Sequence, residues 1–252
     1  MLYESSGHIA VITINRPQAR NAVNQEVAAG IEEALDRLEN DNELWVGVLT
    51  SVPPVFCAGA DLKEISAGRR DTLRTERGGF AGIVARERTK PVIAAVDGPA
   101  LAGGTEICLA CDLIVASASA IFGLPEVKRS LVAAGGGLFR LPRKLPINLA
   151  MELALTGEPI DAARAYHHGL VNILTEPGEA LGAALGLAGR IEANAPVAVR
   201  ASRRVLLASM AGDEPTGWAL SSQAMAEAMG SDDMREGLEA FIQKRQAQWS
   251  GR

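Results

Sequence analysis

The chain has 252 residues, 48% of them hydrophobic and 22% charged, with only 4% aromatic and a net charge of −5. That is enough aliphatic material for a large core, it argues against disorder, and it gives no chain-wide basic field for nucleic acid. No apolar run reaches the ~18 residues of a membrane helix, and the opening MLYESSGHIAVITINRP lacks the basic-then-apolar pattern of a signal peptide. The odd, low cysteine count, Cys57, Cys108 and Cys111, argues against a disulfide framework and fits a reducing cytoplasm.

The chain first alternates between two periods. His8–Asn15 is short and β-branched and reads as a strand. From Asn24 to Asn40, the residues Val27, Ile31, Leu35 and Leu38 recur at helical spacing behind Asn24, a good cap. Leu44–Thr50 and Pro91–Gly98 read as buried strands, with a small-residue turn after each. TEICLA follows the second turn as a helix, and Cys111–Ser117 is the next strand. Asn148–Gly157 reads as a helix closed by Gly157. Asp161–Gly169 is a shorter helix with Asp161 as cap, and Leu170–Thr175 is a strand. The Arg-rich stretch Arg69–Gly79 is expected as a mobile segment or an exposed helix. Beyond Pro177 only helical patterns remain, broken at Asn194-Ala195-Pro196 and around Gly212–Pro215. An α/β core over residues 1–195 followed by a helical section over 196–252 is the organisation this implies.

Two segments repeat one design: FCAGADLKE (56–64) and VDGPALAGGTE (96–106) each run from an apolar strand through small residues toward a helix start. Small residues let a ligand approach backbone N–H groups that a helix start leaves unpaired. Two such donors aimed at one point stabilise a developing oxyanion. Either turn alone is ordinary in an α/β domain.

Taken in order, FCAGADLKE, KPVIAAVDGPALAGGTEICLACDLIVAS, AIFGLPEVK and FIQKRQAQW resemble the crotonase superfamily, and the chain is similar to the enoyl-CoA hydratase/isomerase family over its whole length. The resemblance implies an α/β spiral of ββα units with a helical C-terminal assembly section, arranged as a trimer or a dimer of trimers. It implies an acyl-CoA substrate, with coenzyme A as part of that substrate and no separate cofactor or metal. It places the oxyanion N–H groups on Ala60 and Gly103 and the catalytic acids on Glu106 and Glu126. Substrate contact falls on Ala58, Asp61, Lys63, Gly104 and Gly137. Phe241 would pack on the adenosine region and Lys244 would pair with phosphate, closing the CoA site of a neighbouring subunit. Common hydratases carry Pro-Gly where this chain has Ala133-Ala134, and Gly where it has Ser130, which gives some likeness to the carnitinyl-CoA dehydratase type.

Environment separates the two acids. Glu106 lies about one turn into a helix, whose dipole favours a carboxylate suited to activating water. Glu126 sits among Phe122, Leu124, Pro125 and Val127, where burial favours the protonated form. Two carboxyls in different protonation states are what acid–base work at neutral pH needs. Hydration of a 2-enoyl-CoA is the leading reading. The alternatives are isomerisation or dehydration of another acyl-CoA, acyl-CoA binding without turnover, and a redox role for the CLAC pair, Cys108 and Cys111. That pair has no second cysteine pair or local histidine for zinc, and two buried thiols is the simpler account. Gly135–Gly137 is not a P-loop, because Lys-Ser/Thr does not follow.

Overall fold

The structure is a computed structural model and describes residues 1–210 and 212–252. In chain order it contains β1 (Leu2–Ser6), β2 (Ile9–Ile14), α1 (Gln25–Asn40), β3 (Val46–Ser51), α2 (Leu62–Ser66), β4 (Arg74–Thr75), β5 (Gly79–Phe80), β6 (Val92–Val96), β7 (Ala100–Leu101), α3 (Gly103–Ala110), β8 (Leu113–Ser117) and β9 (Ile121–Gly123). Then come α4 (Gly137–Lys144), α5 (Ile147–Thr156), β10 (Ile160–Asp161), α6 (Ala162–His167), β11 (Ile173–Thr175), α7 (Ala180–Glu192), α8 (Pro196–Ser209), α9 (Glu214–Met229) and α10 (Asp232–Gln243). A six-stranded sheet runs β1-β2-β3-β6-β8-β11. Only the β1–β2 hairpin is antiparallel; β2–β3, β3–β6, β6–β8 and β8–β11 are parallel.

The near-continuous apolar runs of the parallel strands follow from cover on both faces. Val46, Val48, Ile93, Ala95 and Val115 turn to one side and meet Ala184 and Ala188 of α7. Alanine at Ala180, Ala184 and Ala188 lets that helix lie close to the strands. Leu49, Ala94, Val96, Ile114 and Ala116 belong to the main core on the other side, with Val27, Ile31, Leu35 and Leu38 of α1. Each large side chain buried there contributes about 1.5–3 kcal/mol. The side chain of Asn24 caps α1 by accepting from the Val27 N–H at 3.0 Å, and Gly157, at φ 66°, ends α5. Asp161 accepts from the Arg164 N–H at 2.7 Å and caps α6.

Several expectations change. The segment Arg69–Gly79 is not an exposed α-helix: it holds one 3-10 turn and the β4–β5 hairpin. Arg77 ties that hairpin to Asp36 at 2.6 Å and Glu32 at 3.3 Å. FIQKRQAQW is not one helix, because α10 stops at Gln243 and Lys244 adopts φ 53° as its cap. The chain then folds back, and the Trp249 indole N–H donates to the Ala193 carbonyl at 2.8 Å. The helical section is also clamped from α8, where Arg203 reaches Asp112 at 2.9 Å beside Arg88 at 3.1 Å.

Candidate active site

The site forms at one end of a second, three-stranded sheet, β10-β9-β7. β7 and β9 are parallel, with Leu101 opposite Gly123. Two residues beyond each of these partners a helical turn begins, α3 at Gly103 and a 3-10 turn at Pro125. Parallel register sends both turns off the same end of the sheet, and this brings Glu106 and Glu126 together from 20 positions apart in sequence. Thr105 locks the register. Its buried hydroxyl lies 2.7 Å from the Ala100 carbonyl and 2.9 Å from the Gly123 carbonyl, and accepts from the Gly123 N–H at 3.0 Å. Nothing in the sequence pattern singles out this threonine.

The two small-residue turns also meet. Cys57 bridges to Ala100, and its carbonyl accepts from the Leu101 N–H at 3.0 Å. A Cβ on Gly104 would overlap the Cys57 carbonyl, and one on Gly59 would sit 3.0 Å from the Gly103 nitrogen. Glycine at both places is therefore a close-approach requirement. The donors arise differently, however. Gly103 opens α3 after Ala102, whose φ of 52° is strained for a residue with a Cβ. Ala60 is not at a helix start, since α2 has only five residues and begins after Asp61. Val23 pairs with the flanking Gly59 carbonyl and Asp61 N–H at 2.8 and 2.9 Å. In a parallel bridge that pattern turns the Ala60 N–H to the other side. Neither the Ala60 nor the Gly103 N–H has an acceptor among the described residues.

Glu106 is 4% exposed. Its Oε1 accepts from the Gly137 N–H at 3.0 Å. A Cβ on Gly135 would lie 2.5 Å from Oε2, and one on Gly137 3.1 Å from Oε1, so the glycine loop wraps the carboxylate. Burial pushes the Glu106 carboxyl above its ordinary range, against the Gly137 and Gly135 N–H groups and the Arg140 charge. The helix dipole does not by itself keep this group acidic, which corrects the expectation from its position in α3. Glu126 is half-buried, and burial first, with the charge of Glu106 also contributing, raises it to about 7. Its Oε2 is buried with no hydrogen-bond partner among the described residues. Of its neighbours in sequence, Phe122 and Leu124 are buried, whereas Val127 is exposed.

The remaining residues divide. Ala58, Gly104 and Gly137 lie in the turns around the two N–H groups and Glu106. The Asp61 carboxylate is occupied by Arg16 at 2.7 Å and by the Lys63 N–H at 3.0 Å, so within this chain it holds the turn. Lys63 is exposed at the start of α2. Phe241, 85% exposed, and Lys244 lie at the end of α10, apart from the two sheets. The three cysteines are buried and unpaired with one another. Burial pushes Cys57 and Cys111 up to about 12 and Cys108 well above its ordinary value, so they are not reactive thiolates, and the redox reading of Cys108 and Cys111 falls. No group of His, Cys, Asp and Glu suited to a metal ion occurs among the described residues, and no described helix is long and apolar enough to cross a membrane.

A parallel β-sheet core carrying two converging small-residue turns, a buried glutamate and a half-buried one defines a crotonase-type acyl-CoA enzyme, and the comparisons agree. The family profile "Enoyl-CoA hydratase/isomerase" matches residues 4–252, and the chain belongs to this family. It is 40% identical to "Enoyl-CoA hydratase EchA19" of Mycobacterium tuberculosis, covering 100% of this chain and 96% of that one. It is 38% identical to "Short-chain-enoyl-CoA hydratase" of Clostridium acetobutylicum, with 97% and 95% coverage. A crystal structure of an enoyl-CoA hydratase from Mycobacterium tuberculosis superposes with a TM-score of 0.96 at 48% identity, over 100% of this chain and 98% of that one.

Proposed function

We propose that the protein hydrates a 2-enoyl-CoA thioester. The observation that carries the reading is the pair of glutamates in unlike environments beside two N–H groups without acceptors among the described residues. The Ala60 and Gly103 N–H groups would hold the thioester oxygen as charge builds on it. Glu106, whose carboxylate form the Gly135 and Gly137 N–H groups and the Arg140 charge favour against the burial that raises it, takes a proton from water as its oxygen bonds to C3. Glu126, raised to about 7, delivers its proton to C2. The double bond is thereby replaced by new C–O and C–H bonds, and proton exchange returns each carboxyl to its starting state.

Assembly belongs to the same reading. Leu206, Trp218, Met225, Met229, Phe241 and Ile242 of α8–α10 are each more than half exposed, and exposed apolar side chains gathered on one section of a chain mark an interaction site. Burial between copies in a trimer or a dimer of trimers would cover it and bring Phe241 and Lys244 to a neighbour's CoA. The three buried thiols fit a reducing, cytoplasmic setting.

The test is turnover on a panel of 2-enoyl-CoA thioesters in heavy-oxygen water, with wild type, Glu106→Gln and Glu126→Gln. The 3-hydroxyacyl product should carry the label, and each variant should lose about 10²–10⁴-fold in kcat while acyl-CoA binding stays near wild type. Unlabelled product, or variants at wild-type rate, would overturn the reading. Binding without turnover in wild type would favour a non-catalytic acyl-CoA protein.

A further inference from the structure

The glycine loop needs something to hold it in place. Gly135 and Gly137 are committed to Glu106, and Gly136 has φ 102°, a conformation that favours glycine. A Cβ on Gly136 would strike the Arg140 guanidinium. Arg140, on the first turn of α4, is part-buried and reaches back over the loop. Its Nη2 donates to the Val84 carbonyl at 2.6 Å and its Nη1 to the Gly135 carbonyl at 3.3 Å. The planar fork thus bridges the 80–86 turn and the loop, while its main-chain N–H donates to the Gly136 carbonyl at 3.0 Å. All three glycines therefore lack a side chain for reasons that involve either the Glu106 carboxylate or this guanidinium.

We propose that Arg140 is a positioning residue for the acid–base step, holding the glycine loop and one positive charge against the Glu106 carboxylate. The inference rests on the hydratase reading, in which Glu106 must be ionised. Arg140 faces the Glu106 charge from α4, Glu126 faces Glu106 from the 125–129 turn, and Arg140 in turn faces Arg88, Arg143 and the Cys111 thiol. Arg88 is already paired with Asp112 at 3.1 Å, and Arg143 lies on the exposed side of α4. Among the groups that bear on Glu106, Arg140 supplies the positive charge. Lysine could restore that charge but not a planar fork reaching two carbonyls.

The experiment uses the full chain, 2-butenoyl-CoA as probe, and Arg140→Met, Arg140→Lys and Glu106→Gln, with circular dichroism on each. Arg140→Met should lose about 10²-fold in kcat with KM near wild type, and its ascending pH limb should move upward, because the carboxylate has lost its cation. Arg140→Lys should return the limb to the wild-type position while recovering only part of kcat. Should Arg140→Met fail to fold, Arg140→Lys carries the test, and a wild-type kcat there would overturn the proposal. A folded Arg140→Met with an unmoved limb would overturn it equally. Glu106→Gln tells the two readings apart: if it stays active, the hydratase reading fails and the inference with it. If it is inactive while both Arg140 variants behave as wild type, only the role of Arg140 fails.

Discussion

Glu126 combines a raised pKa with a buried oxygen that has no hydrogen-bond partner among the described residues, and both features cost stability at neutral pH. An unfolded glutamate ionises near 4.5, whereas the folded carboxyl keeps its proton to about 7. Stability from this group is therefore full below about pH 4.5 and is lost as the pH rises toward 7. Glu126→Gln does not titrate. Its stability relative to wild type should climb between those two values and then level, while turnover stays low. Urea denaturation at pH 4.5, 6 and 8 reads the sign, and a constant difference would show that Glu126 is not buried as described. Ala102 carries backbone strain beside the site. Its φ of 52° and ψ of −124° suit glycine, and such strain costs about 1–3 kcal/mol. Ala102→Gly should stabilise by about 1 kcal/mol after the entropy of the added glycine is set against it, with turnover retained. A lower melting point would mean that the alanine methyl packs well enough to outweigh the strain.

At the scale of elements, the site is a consequence of register. The β7–β9 pairing, the Cys57–Ala100 bridge and the Val23–Ala60 bridge set the mutual positions of two turns and two acids. Gly104 is a tight point between the turns, because a Cβ there would lie 2.1 Å from the Cys57 carbonyl oxygen. Gly104→Ala should push the turns apart. A cost of about 1–3 kcal/mol is typical of overpacking, and kcat should fall by about 10²-fold even where the protein folds, because an oxyanion donor has moved. Full turnover in a folded Gly104→Ala protein would show that the contact between turns is not used. The contrast with what was legible in sequence has a physical cause. The α1 stripe and its Asn24 cap, the buried parallel strands and the Gly157 and Asp161 boundaries are local patterns, and they appear almost where expected. Thr105, Arg140 and the β4–β5 hairpin are not. Thr105 matters because its hydroxyl meets a strand 18 residues away, and Arg140 because it reaches Val84 and Gly135 at once. Such roles exist only after long-range packing, and a composition of Arg and Gly reads as a loose segment until Asp36 and Glu32 are seen to hold it.

For the whole molecule, the described chain leaves its last helices half clothed. α9 has no buried residue, and Trp218 is 68% exposed, although α8 is tied down through Arg203 and Asp112 and the C-terminal tail through Trp249. Anchored at both ends and largely exposed between them, this section is where the proposed assembly can be tested. Trp218→Asp should leave the far-UV dichroism and core stability near wild type, because the side chain packs little within its own chain. Losing a tryptophan anchor and burying a carboxylate typically costs at least ~2 kcal/mol per contact, so sedimentation should shift from an oligomer toward monomer. If Phe241 and Lys244 close a neighbour's CoA site, the same variant should raise KM for 2-butenoyl-CoA more than it lowers kcat, since contacts to the CoA moiety are made alike in ground and transition states. Lys244→Ala should raise KM without dissociating the oligomer, and less so at high salt, where an exposed charge pair is already screened. A wild-type chain that sediments as a monomer with unchanged KM in both variants would remove the subunit boundary from the site and leave α10 with a purely structural part.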